Sequence, residues 1–143
     1  MSDAAPGMEA EAVVLRAVMR LSRRLRQAAG DSGLTGAALG MLATLRRDGT
    51  MSAAELARRE GLQPQSLTRL LARLDKAGLI ERVVDSGDRR RQQIAITPDG
   101  TAALRRAMGL RLRWLAAAIV ERLDGDERER LLASAQLMLR LAE

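Results

Sequence analysis

The stretch from Ser52 to Ile96 constrains the fold more than any other part of the chain, because its hydrophobic period changes within a few residues. Ser52-Ala-Ala-Glu55 reads as a capping box, in which the serine oxygen and the glutamate carboxylate reciprocally satisfy free backbone N–H groups. The helix it opens turns Ala53, Leu56 and Ala57 inward and stops at Gly61, with apolar Leu62 behind it. Gln63-Pro64 starts the next helix, the proline sitting where a missing N–H costs nothing. Leu67, Leu70, Leu71 and Leu74 form one apolar stripe there. Gln65, Arg69, Ala72, Arg73 and Lys76 lie opposite, and Gly78 ends the helix. Past Gly78 the period becomes two. Ile80, Arg82 and Val84 alternate with Leu79, Glu81 and Val83, and Ile94 and Ile96 alternate with Gln93 and Ala95. Asp85 to Arg91 between them is turn-forming and charged. The segment therefore predicts two short helices joined at a glycine turn, then a β-hairpin with a basic tip.

Helical spacing continues on both flanks. Val14, Val18, Leu21 and Leu25 recur between Met8 and about Gln27, with Arg16, Arg20, Arg23 and Arg24 at other positions. A second helix is expected from Thr35 to Arg47, turning Ala38, Leu42 and Leu45 inward, with Asp48-Gly49 as its stop. Thr97 reads as the N-cap and Pro98 as the first position of a long helix to about Leu123, with Leu104, Met108, Leu112, Leu115 and Ile119 on one buried side. Asp124-Gly-Asp-Glu127 opens a last helix carrying Leu131, Leu132, Ala135, Met138 and Leu139 inward. The chain is thus mainly α with one small β-hairpin. It divides into a disordered start (1–7), an N-terminal helical segment (8–33), a central domain (34–100) and C-terminal helices (101–143).

The terminal helices are noncontiguous, apolar on one side and too few to close a bundle within one chain. Pairing with a second copy solves that burial problem. Val14, Val18, Leu21, Leu115, Ile119, Leu131, Ala135, Met138 and Leu139 are the candidate dimerisation residues. The alternative is a monomer whose terminal helices pack on its own central domain.

Composition removes most chemistries. With no Cys and no His, thiolate nucleophiles, imidazole bases and Cys/His zinc sites are excluded, and no cofactor is expected. Asp124, Asp126 and Glu127 are spaced for helix capping rather than acid–base work, so the chain does not read as an enzyme. Aromatic residues are 1% of the chain, which disfavours base stacking on rings. No apolar run approaches the roughly 18 residues a spanning helix needs, and the acidic start lacks a leader pattern. A cytoplasmic protein without a membrane partner is expected.

A formal charge of +6 favours a polyanionic partner. Between Gln63 and Thr97 seven cations face four anions, so half the net charge sits in under a third of the chain. A helix presented by a glycine turn can enter a major groove about 12 Å wide. There Gln65 can pair with adenine, and Arg69 and Arg73 with guanine. Gln63, Ser66 and Thr68 flank that face, the hydroxyls placed to donate to phosphate oxygens. Asp88, Arg89, Arg90 and Arg91 concentrate at the hairpin tip, where arginine can reach the adjacent minor groove. Use of the same module for protein–protein or RNA contact is the competing reading.

At these residues the chain resembles the MarR family of winged helix–turn–helix transcriptional regulators. The run from Asp85 to Gly100 is similar to the family's wing pattern, with Ser86 in place of a proline and Ile96 in place of a leucine. Leu56-Ala57, Ser66-Leu67-Thr68-Arg69-Leu70, Leu74 and Gly78-Leu79-Ile80 also match. The resemblance implies a homodimer on a pseudo-palindromic double-stranded DNA operator, more commonly as a repressor. It places Arg90 in the minor groove and has Asp88 orient the wing arginines through an ion pair. It also implies release by a small aromatic or anionic ligand in some members. Oxidant sensing through cysteine is excluded here, and Trp114 and Met108 read as core or interface packing rather than a ligand cage.

Overall fold

The computed structural model describes residues 7–30, 33–88 and 91–143. Its elements run in the order α1 (Glu9–Ala28), α2 (Gly36–Asp48), α3 (Ala53–Glu60), α4 (Pro64–Lys76), β1 (Ile80–Val84), β2 (Gln92–Ile96), α5 (Pro98–Arg122) and α6 (Gly125–Leu141). These match the expected order, with boundaries shifted by a residue or two. The frayed start expected over residues 1–7 lies outside the described residues except for Gly7.

The chain forms two compact units. The first, Ala29–Gly109, holds the hydrophobic core. Met41, Leu42, Leu45, Leu56 and Ile94 are its most deeply buried large side chains. Leu67, Leu70, Leu71 and Leu74 of α4 join them, each burial contributing about 1.5–3 kcal/mol. Leu104 and Ala107 of α5 close the cluster. Ala53 and Ala57 are only partly buried, Leu56 alone of the expected trio being fully enclosed. The core is aliphatic throughout.

Strands β1 and β2 pair antiparallel, Ile80 opposite Ile96 and Val84 opposite Gln92. The expected hairpin gains a short third partner. Met51 exchanges two backbone hydrogen bonds with Ile94 (Ile94 N–H to Met51 O, 2.8 Å; Met51 N–H to Ile94 O, 3.2 Å). This ties the residue before α3 to the hairpin.

The capping box at α3 is half formed. Ser52 Oγ accepts from the Glu55 N–H, but the Glu55 carboxylate turns to Arg58 and Arg59 instead of Ser52. Two guanidiniums outbid one backbone N–H for a carboxylate. Arg59 also donates to Asp48 at 2.6 Å, so a chain of ion pairs links the end of α2 to α3. Asp124 and Glu127 make the full reciprocal box at α6, as their spacing predicts.

The second unit comprises α1 with Leu110–Glu143. Here the single chain departs from the expected burial. None of the described side chains of α1 or α6 is buried. Val14, Val18, Leu21, Leu131, Met138 and Leu139 are exposed, and Leu115, Ile119 and Ala135 are partly covered. Leu132 and Leu112 are about 60% exposed, and Met108, just before this unit, 42%. The periodicity places these residues on common sides, but one chain supplies too few helices to cover them. Trp114 is partly covered and carries the Arg24 guanidinium 5.5 Å from its ring centroid, a packing role.

One glycine is fixed by contact. A Cβ on Gly100 would lie 2.0 Å from the Leu79 carbonyl oxygen, whereas one on Gly36 would meet open space. Gly100→Ala should therefore cost about 1–3 kcal/mol or more by overpacking, while Gly36→Ala should be neutral or stabilising by about 0.4–1 kcal/mol. Chemical denaturation of the two variants checks this. Equal midpoints would contradict it.

Candidate nucleic-acid interface

Two glycine stops frame α4. Gly61 takes a left-handed conformation, its N–H bonding to Arg58 O while Leu62 N–H bonds to Ala57 O. Gly78 repeats the device at the other end, with Gly78 N–H to Asp75 O and Leu79 N–H to Leu74 O, both 2.9 Å. Between them Pro64 occupies the first helical position, and Gln63 precedes it in extended conformation with no side-chain cap bond.

The leucine stripe is buried and the opposite side of the helix is exposed. Gln65, Arg69 and Arg73 follow one another at four-residue spacing on that side, with Ala72 among them. Ser66 and Thr68 flank it, both exposed. The Thr68 hydroxyl donates to Pro64 O at 2.9 Å. Its proton is thereby spent within the helix, so the expected donation from Thr68 to a phosphate would require breaking that bond. Among the described residues the Ser66 hydroxyl makes no such bond.

The hairpin loop is organised by Asp85. Its carboxylate accepts from the Gly87 N–H at 2.8 Å and from Gln93 Nε2 at 3.1 Å, while its own N–H donates to Arg91 O. These hydrogen bonds, Gly87 first and Gln93 second, hold the Asp85 carboxyl below the usual carboxylate range. Asp88 stands 3.8 Å from Arg91 Nε, and Arg91 N–H donates to Asp88 O at 2.9 Å. The ion pair expected at the wing tip thus forms with Arg91. Arg89 and Arg90 lie outside the described residues.

Two features escaped the sequence reading. Arg82 on β1 reaches Asp75 on α4 at 3.7 Å and donates to Gln92 on β2 at 3.2 Å, joining hairpin and helix. Opposite charges on either side of Gly78 were the available signal. The second feature is a cavity of about 370 Å³ within the same unit, at the foot of α4. Leu34, Ala38, Leu70 and Leu74 make it apolar, and Arg73 and Arg106 give it positive charge. Among the described residues no acidic cluster suits a metal ion, and no helix is long and apolar enough to cross a membrane.

Because the Asp85 carboxyl is depressed in the folded wing, its contribution is present above the ordinary value near pH 3.9. It is lost as pH falls through the lower folded value. Protection of the Gly87 amide should fade over that interval, and Asp85→Asn should abolish the pH dependence. An unchanged profile in the variant would reassign the loop's order to other contacts.

The match to the MarR family covers residues 32–91, which include α2, the two helices at the glycine turn and β1, and end before β2. An HTH-type transcriptional regulator of Mycobacterium tuberculosis is 35% identical over 127 residues, spanning 89% of this chain and 88% of its own. A putative transcriptional regulator from Pseudomonas aeruginosa of known structure is 31% identical, with a TM-score of 0.79 over 95% of this chain and 97% of that one. NadR, solved in complex with 4-hydroxyphenylacetate, is 25% identical with a TM-score of 0.71, covering 100% and 99%. The sequence likeness covers most of the chain and the fold agrees with the solved structures: the chain belongs to the MarR family of winged helix–turn–helix transcriptional regulators.

Proposed function

We propose that the protein is a sequence-specific double-stranded-DNA-binding repressor acting as a homodimer on a pseudo-palindromic operator. The observation that carries this reading is the division of α4 into four buried leucines and an exposed side bearing Gln65, Arg69 and Arg73. Those three read base edges, Gln63 and Ser66 position the helix on phosphates, and Arg89, Arg90 and Arg91 enter the flanking minor groove with Asp88 orienting them. Repression follows from occupancy, since a dimer seated across a promoter excludes the polymerase.

The uncovered apolar sides of α1, α5 and α6 support the dimer. Val14, Val18, Leu21, Leu131, Met138 and Leu139 are exposed in one chain, and a second copy of the same helices buries them by twofold symmetry. The resulting symmetry presents two α4 helices to two half-sites.

The cavity beside α4 supports release by a small anionic, aromatic ligand. Its apolar walls suit a ring, and Arg73 and Arg106 suit a carboxylate. The similarity to NadR, whose structure holds 4-hydroxyphenylacetate, points the same way.

Binding to duplex DNA from the protein's own upstream region should be about nanomolar and should weaken steeply with salt. The complex should contain two chains by sedimentation. Arg90→Ala should weaken specific and random DNA alike by about 1–3 kcal/mol, whereas Gln65→Ala or Arg69→Ala should relax preference at particular base pairs. Salt-insensitive binding, or none, would return the module to protein or RNA contact. An aromatic carboxylic acid such as 4-hydroxyphenylacetate should displace the parent from DNA and leave Arg106→Ala in place. Equal displacement of both would remove the cavity from the regulatory reading.

A further inference from the structure

The joint between α4 and α5 is closed by one side chain. Thr97 Oγ1 donates to Gly78 O at 2.7 Å and accepts from Gly100 N–H at 3.0 Å, and Thr97 N–H donates to Leu79 O at 3.1 Å. Gly78 and Leu79 are the residues that stop α4, and Gly100 lies in the first turn of α5. Gly100 has no room for a Cβ against the Leu79 carbonyl. The last turn of one helix and the first turn of the other are thus held by three hydrogen bonds through a single residue, with a steric stop behind them.

We propose that Thr97 is a positioning residue that fixes the tilt of α4 against α5 and so sets the half-site spacing the protein accepts; this rests on the reading of the protein as a DNA-binding dimer. Helix α4, Pro64–Lys76, is about 20 Å long at 1.5 Å per residue. Its base-reading residues Gln65 and Arg69 sit toward the end remote from Gly78. A tilt of about 10° at the joint therefore displaces that far end by about 3.4 Å, which is one base-pair rise. Helix α5 continues unbroken from this joint to Arg122, so its later turns belong to the unit whose uncovered apolar sides carry the proposed dimer. A loose joint lets each reading helix find its half-site independently. A tight one transmits the dimer's spacing to the DNA.

The side chain at position 97 separates these cases. Thr97→Val keeps the shape and the backbone bond to Leu79 but removes both hydroxyl bonds. Thr97→Ser keeps all three. Full-length parent and variants, verified as folded dimers by thermal melts and sedimentation, are titrated against operators with half-sites at the selected spacing and one base pair nearer or farther. The parent and Thr97→Ser should lose about tenfold or more in affinity at either altered spacing, and Thr97→Val less than about threefold. Rescue by serine distinguishes positioning from a general loss of stability, which would lower affinity at all spacings alike. A Thr97→Val protein with the parental spacing profile overturns the proposal. Hydrogen exchange without DNA provides the second arm: Gly78, Leu79 and Gly100 amides should exchange faster in Thr97→Val. Unchanged exchange there overturns the joint itself, while intact exchange behaviour in a parent that binds no DNA overturns the dimer reading and the proposal with it.

Discussion

Burial of the α4 leucine stripe is the interaction on which the rest of the molecule depends. Leu67, Leu70, Leu71 and Leu74 enter a cluster built by Met41, Leu42, Leu45, Leu56 and Ile94, which brings α2, α3 and the hairpin to one place. Because all four leucines lie on one side, the rotation of α4 about its own axis is not adjustable. Turning the helix by one residue would expose leucines and bury Arg69 or Arg73, a cost of several kcal/mol by desolvation alone. The outward direction of Gln65, Arg69 and Arg73 is therefore a consequence of the core, not of the polar residues themselves.

The helical unit follows the opposite logic. Its α1 and α6 bury no described side chain, although their apolar residues recur with regular spacing. A stripe that is uncovered in one chain costs solubility, and evolution removes such stripes unless a partner covers them. Two kinds of amphipathic helix coexist in the sequence. Those of the unit Ala29–Gly109 find their cover within it, and those of α1 and α6 are left uncovered.

Most of the unit Ala29–Gly109 was legible because local signals agree with tertiary demands. Pro64 at the first position of α4, Gly61 and Gly78 in left-handed conformation, and Thr97 capping α5 each satisfy a backbone requirement that sequence alone exposes. Burial along Met108, Leu112 and α6 was not legible, since periodicity gives the side of a helix and says nothing of what covers it. Glu55 and Thr68 escaped for a related reason. Each has more than one local partner within reach, and competition among them is settled by side-chain geometry. The Met51 bridge and the cavity at Arg73 join residues far apart in sequence, where no spacing rule operates.

Constraint is distributed unevenly between the exposed side of α4 and the residues that support it. Gln65, Arg69 and Arg73 are exposed, so replacing them should leave the fold unaltered. Gly100 and Thr97 lie outside the candidate DNA-facing set, yet the closure of α4 on α5 runs through them. Asp85 is intermediate. It lies outside the core cluster, but its bonds to Gly87, Gln93 and Arg91 tie the two ends of the loop together. Contacts made in advance at the ends of a loop lower the conformational entropy that any binding event there has to remove.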